Sequence, residues 1–203
     1  MSVFDEKAAT WDDDPTKVER ARVVAQAIRE IVPASPTARL LEYGAGTGLL
    51  SEELVGHVGS ITLVDPSTGM REVMAAKVES GRLPGDSRIW DLDLAVDPVP
   101  DDRFDLVTSL MTLHHVSDVP RVLTAFSQML ADGGRLALVD LVEEDGSFHD
   151  APFAGHNGFD TAKLARDVRA SGLSDVAVRE NLHNVEKEGR NYPLFLLTAT
   201  KRA

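Results

Sequence analysis

The sequence predicts an α/β fold: a doubly wound, mostly parallel seven-stranded sheet with an antiparallel terminal strand and helices on both faces. Three observations predict it. Short apolar runs close on acidic or glycine residues, helical apolar spacing separates those runs, and three alternate glycines, Gly44, Gly46 and Gly48, follow the first run.

Asp14 and Pro15 form a cap and first-turn pair, after which Val18, Ala21, Ala25, Ile28 and Val32 recur at helical spacing until Pro33 stops the helix. Strands are expected at Leu40–Tyr43, Ile61–Val64, Arg88–Leu92, Phe104–Ser109 and Arg135–Leu141, each short and mostly apolar, as a strand covered on both faces requires. A helix over Val119–Leu130 puts Val119, Leu123, Phe126 and Leu130 on one side and closes at Asp132, Gly133 and Gly134. Next come a helix over Thr161–Ala170, a strand around Val176–Arg179 and a terminal strand over Tyr192–Thr200. The last two lie close enough in sequence to pair antiparallel. The polar stretch Glu180–Asn191 reads as a loop or turn.

A length of 203 residues, 43% hydrophobic and 27% charged, fits one domain over 1–203, with 1–33 as an N-terminal helical lid segment. The formal net charge of −12 opposes any partner presenting a phosphate backbone, so neither nucleic acid nor an anionic membrane is expected. With no cysteine there is no disulfide framework, no thiolate metal site and no sulfur nucleophile. The start lacks a signal-like apolar run, and no stretch reaches the roughly 20 apolar residues of a membrane span. A cytoplasmic protein is expected.

The alternate glycines sit in Leu40–Gly48, LLEYGAGTG, where a strand turns into a helix and the backbone can approach a ligand closely. A dinucleotide fingerprint would need its third glycine at position 49, which is Leu49. S-adenosylmethionine carries an ammonium that favours a nearby carboxylate, and Glu42 supplies one two residues before Gly44. Asp65 ends the second strand, where a carboxylate could accept from both ribose hydroxyls, and Asp91, near the end of the third, could accept from an adenine amine.

LLEYGAGTG, LVDPSTGM and FDLVTSLMTLHHV together resemble the class I methyltransferase family, over nearly the whole chain. The resemblance implies S-adenosylmethionine as cofactor, lying against Gly44, Ala45, Gly46 and Gly48, with Asp65 on the ribose. It further implies Met70 and Leu92 flanking the adenine, Asp91 at its amine, and Ser109 or Leu110 near the methionine portion. Two positions depart from the family pattern: Glu42 where aspartate is commoner, and Ala45 where many members have cysteine. NYPLFLLTATK is similar to the family's last strand, and GHNGFD to a loop of small bacterial members.

Members that methylate exocyclic amines of bases or glutamine amides carry an Asn- or Asp-Pro-Pro-aromatic sequence after the fourth strand; this chain has SLMTLHH. Arsenic and cytosine-C5 methylation rely on cysteines. A small-molecule acceptor methylated at O, N or C remains, for which alignment and a base suffice. His115, beside His114, follows the fourth strand, and His156 lies in the loop after the fifth; both are candidate bases at the carboxyl edge of the sheet. A metal on His115, His156 and Asp140 lacks local ligand spacing, so none is expected. Trp11 and Phe4 read either as part of a lid or as an anchor for the first helix, and Glu143, Glu144 and Asp145 as a solvated acidic loop.

A nicotinamide oxidoreductase is disfavoured, since neither Tyr43 nor Tyr192 has a lysine four residues later. The alternative function is a non-catalytic module that binds S-adenosylmethionine or S-adenosylhomocysteine. Oligomeric state is left open.

Overall fold

Capping chemistry fixes the helices of the computed structural model, which describes residues 3–149 and 153–202. Asp14 accepts the Thr16 amide at 2.9 Å and Pro15 opens helix α2 (Pro15–Ile31), following a short α1 (Val3–Lys7) and a 3₁₀ turn over Ala8–Asp13. Residues 1–2 of the expected lid segment lie outside the described residues. Ser67 opens α4 (Thr68–Glu79), Asp118 opens α5 (Val119–Met129) and Asp160 opens α6 (Thr161–Ala170), each side chain accepting an amide of the first turn. Helix α3 (Leu49–Glu53) has no side-chain cap and starts from Gly48, whose φ of 81° only glycine adopts without strain.

The chain forms two compact units, residues up to Asp93 and residues from Leu94. In the first, strands β1 (Arg39–Tyr43), β2 (Ser60–Val64) and β3 (Arg88–Trp90) are parallel, with Leu41 beside Thr62 and Thr62 beside Arg88. Leu40, Leu41, Ile61 and Leu63 are buried on successive positions, as strands covered on both faces require. Strand β3 ends two residues short of Leu92. Arg71 takes the Asp91 carboxylate and the Tyr43 hydroxyl donates to Asp93, so the chain leaves the ladder after Trp90.

In the second unit β4 (Phe104–Leu110) and β5 (Leu130–Leu141) are parallel, and β7 (Arg190–Thr200) runs antiparallel to both β5 and β6 (Ser174–Lys187). The seven strands are ordered β3-β2-β1-β4-β5-β7-β6. Strand β5 starts at Leu130, which pairs with Phe104 ahead of a register shift, rather than at Arg135. The stretch 180–191 is no loop: β6 continues to Lys187 and a tight turn at Glu188 and Gly189, with φ of 52° and 75°, leads straight into β7. Its polarity reflects an edge strand with mostly exposed residues, which carries no alternation to read. Among the described residues no helix is long and apolar enough to cross a membrane.

Candidate functional site

In the first unit the turn between β1 and α3 is built from left-handed residues: Gly44, Gly46 and Gly48 have φ of 67°, 56° and 81°. Such a chain keeps reversing its amide directions. The Gly46 amide donates to Asp65 Oδ2 at 2.8 Å, and the Ser67 amide to Asp65 Oδ1 at 2.9 Å, so the carboxylate at the end of β2 fixes the glycine turn and the start of α4 together. Burial pushes the Asp65 pKa up, against the lowering effect of those two amides. A carboxylate offers about four lone-pair directions, so two acceptances leave capacity for further donors. Among the described residues, a side chain at Gly46 would find only Trp11 Nε1, at 3.9 Å, within contact range.

Glu42 is buried behind this turn. Its carboxylate accepts the Ser51 amide at 3.0 Å and the Ser51 hydroxyl as well, tying β1 to α3. Desolvation pushes its pKa up to about 7 despite those donors. Asp91, largely exposed, gives Oδ2 to Arg71 at 2.9 Å. Ala45 and Met70 are buried, and Leu92 is half-buried.

The N-terminal segment lies on the same turn. Asp12 accepts from the Thr47 hydroxyl at 2.5 Å and its other oxygen pairs with Lys77 Nζ at 2.7 Å; Lys77, buried, also pairs with Glu52 at 3.1 Å. Asp5 accepts from the Ser67 hydroxyl at 2.6 Å and the Gly69 amide at 3.1 Å. Phe4 meets the edge of Trp11, and Lys17 stands over the Trp11 ring at 4.1 Å.

In the second unit β4 ends in buried Ser109 and half-buried Leu110, and the next residue, Met111, is held at φ 54°. A non-glycine residue there is strained, a feature concentrated at functional sites. A 3₁₀ turn over Leu113–His115 follows. Buried Asp140, near the end of β5, accepts from His114 Nδ1 at 2.6 Å, the His114 amide at 3.2 Å and the Leu141 amide at 2.8 Å, which fixes the His114 ring. The rings of His114 and His115 are 4.1 Å apart, and His149, which lies flat on Phe153 at 3.6 Å, is 5.0 and 5.2 Å from them. His115 keeps an exposed edge. Loss of solvation on its packed side, then the His114 and His149 rings, push its pKa down to about 3; burial and then His114 push His149 down too.

His156 does not join this group of rings. Its amide donates to the His114 carbonyl at 2.7 Å and its Nε2 lies 3.0 Å from the Val116 carbonyl, so it braces the loop after β5 against the 3₁₀ turn. His149, which sequence reasoning did not single out, joins the rings instead. The missed signal was a third histidine beyond the same sheet edge, in a loop shaped by Glu144, which accepts the Ser147 and Phe148 amides, and by Lys187, which donates to the Phe148 carbonyl. The loop read as solvated acid is thus partly structural, and Asp145 pairs with Arg190 at 3.3 Å.

A sequence family described as a methyltransferase domain matches residues 17–178. The chain belongs to the class I S-adenosylmethionine-dependent methyltransferase family. As a member it is 31% identical over 153 residues to the ubiquinone/menaquinone biosynthesis C-methyltransferase of Vibrio vulnificus, covering 67% of this chain and 59% of that one. It spans 54% to 66% of the length of several other curated relatives. A chain of the complex between the Haloferax volcanii Trm112 methyltransferase activator and a methyltransferase has the same fold, with a TM-score of 0.81, 16% identity and coverage of 100% of this chain and 99% of that one. Haemonchus contortus phosphoethanolamine N-methyltransferase 2, in complex with S-adenosyl-L-methionine, gives 0.73 at 14% identity, covering 100% of this chain and 61% of that one.

Proposed function

We propose that the protein transfers a methyl group from S-adenosylmethionine to an O, N or C atom of a small molecule. The observation that carries this reading is the left-handed glycine turn fixed by Asp65, with space above Gly46 that a Cβ would begin to fill. Those residues fit the cofactor: the turn allows close backbone approach, and Asp65 retains acceptor capacity for ribose hydroxyls. Met70 and Leu92 would flank the adenine, and Asp91 Oδ1 would take its amine while Oδ2 stays on Arg71. Glu42, which holds Ser51 through Oε2, positions α3 from behind the turn and would supply the counter-charge to the cofactor ammonium. The segment up to residue 33 acts as a lid, excluding water through Trp11 and held by Asp12.

When bound, the cofactor supplies an electrophilic methyl group on a sulfonium. His115 accepts the proton that an O–H or N–H acceptor gives up. Its lowered pKa keeps the lone pair available at neutral pH, and the weak basicity suffices because the acceptor becomes strongly acidic as its new bond forms. His114, clamped by Asp140, sets the position of that ring. The net charge of −12 speaks against a nucleic-acid acceptor.

Calorimetric titration with S-adenosylmethionine, S-adenosylhomocysteine and NAD tests the cofactor. Binding of the first two at roughly micromolar Kd, none of NAD, and loss of most affinity in Asp65→Ala are expected. Binding of NAD alone, or unchanged binding by Asp65→Ala, would overturn the reading.

A further inference from the structure

Three imidazoles converge in the second unit: one ring nitrogen from each of His114, His115 and His149 lies within 4.8 Å of the others. We infer that this cluster is a binding site for a divalent first-row transition ion of the zinc type, held by three neutral histidines with a fourth position open. Imidazole nitrogen suits zinc, cobalt and nickel, and three protein ligands with an open position is the arrangement of catalytic rather than structural zinc.

The surroundings of each ring fit that use. His114 gives its Nδ1 to buried Asp140 at 2.6 Å, which leaves Nε2 for an ion and supplies the carboxylate–histidine pairing that orients metal-binding imidazoles. His149 Nδ1 is buried and has no hydrogen-bond partner among the described residues, a cost that coordination would remove. Stacking on Phe153 holds its plane, and the Lys187 bond to the Phe148 carbonyl holds the backbone just before it. Tetrahedral ligands about 2.0–2.1 Å from zinc stand about 3.4 Å from one another, so ion binding requires the three nitrogens to draw in from the 4.8 Å that bounds them.

An ion here would occupy the lone pair with which His115 otherwise takes a proton, and would instead lower the pKa of an acceptor hydroxyl in the open position. That consequence rests on the methyl-transfer reading; ion binding does not.

The test uses the full chain, stripped of metal and titrated with Zn²⁺ by calorimetry and with Co²⁺ by visible absorption, without cofactor or acceptor. About one ion per chain is expected, with intensified Co²⁺ absorption from a four-coordinate site. His115→Ala and His149→Ala should each weaken binding at least about tenfold, and Asp140→Asn by about 10- to 100-fold, with circular dichroism confirming that each variant is folded. His57→Ala, whose ring bonds the Val32 carbonyl in the first unit, serves as the control and should leave binding unchanged. No binding by the folded wild type, or equal binding by wild type, His115→Ala and His149→Ala, overturns the inference. Because neither cofactor nor acceptor is present, such a failure would leave the methyl-transfer reading standing.

Discussion

Glu42 shows what burial does to a carboxyl group. From its place before the glycines it reads as a counter-charge for an ammonium; in the fold its Oε2 accepts both donors of Ser51, and desolvation lifts its pKa from 4.5 to about 7. A raised carboxyl pKa means that the folded state binds the proton more tightly. The stabilisation is therefore fully present below about pH 4.5 and is lost as pH rises through about 7. The total is about 3 kcal/mol, by 1.36 kcal/mol per pKa unit. Asp65 is shifted in the same direction, and His115, with a lowered pKa, contributes the opposite slope below its ordinary value, so the difference between wild type and Glu42→Gln isolates the one group. Urea unfolding from pH 4.5 to 8 should show Glu42→Gln gaining on wild type up to about pH 7 and levelling off above it; parallel curves throughout would contradict the assignment. Asp65 and the glycine turn were legible in sequence because spacing alone puts them at neighbouring strand ends. His149 was not, since nothing local marks a loop histidine as the neighbour of a pair 34 positions earlier in the chain.

At the scale of elements, the parallel strands and the capped helices were legible because burial on both faces and cap residues leave strong local signals. The β6–β7 hairpin was only half legible. Its polar half lies on an edge strand, where neither face imposes a pattern, and positive φ values at Asp175 and Asn181 accompany register shifts that break any alternation. The turn itself is marked only by Glu188 and Gly189. With nothing among the described residues within 4 Å of a Cβ at Gly189 and φ of 75°, the cost of a side chain there is conformational. Gly189→Ala should lower stability by about 1 kcal/mol in urea titration, the penalty of a left-handed non-glycine residue. A neutral result would mean that the turn relaxes to another type. The hairpin reaches beyond its own strands, because Lys187 and Arg190 hold the loop that presents His149.

For the whole molecule, a cofactor that binds only the folded state must raise its unfolding temperature. At about 100 times Kd the gain is about 2.7 kcal/mol. In a chain of 203 residues that corresponds to roughly 5–10 °C, at about 2–4 °C per kcal/mol. S-adenosylhomocysteine should produce this shift and NAD should not; an equal shift with NAD would point to a different cofactor class. The loop after β5 carries a consequence of another kind. The His114 carbonyl receives the His156 amide at 2.7 Å, and a Cβ on Gly155 would stand 2.2 Å from that same oxygen. A residue in the 3₁₀ turn after β4 and a glycine 41 positions later therefore share a single atom's worth of room. Any side chain at 155 would have to displace the carbonyl that anchors His156, so the price of a methyl group there is the brace between two loops, whatever side chain stands at 114.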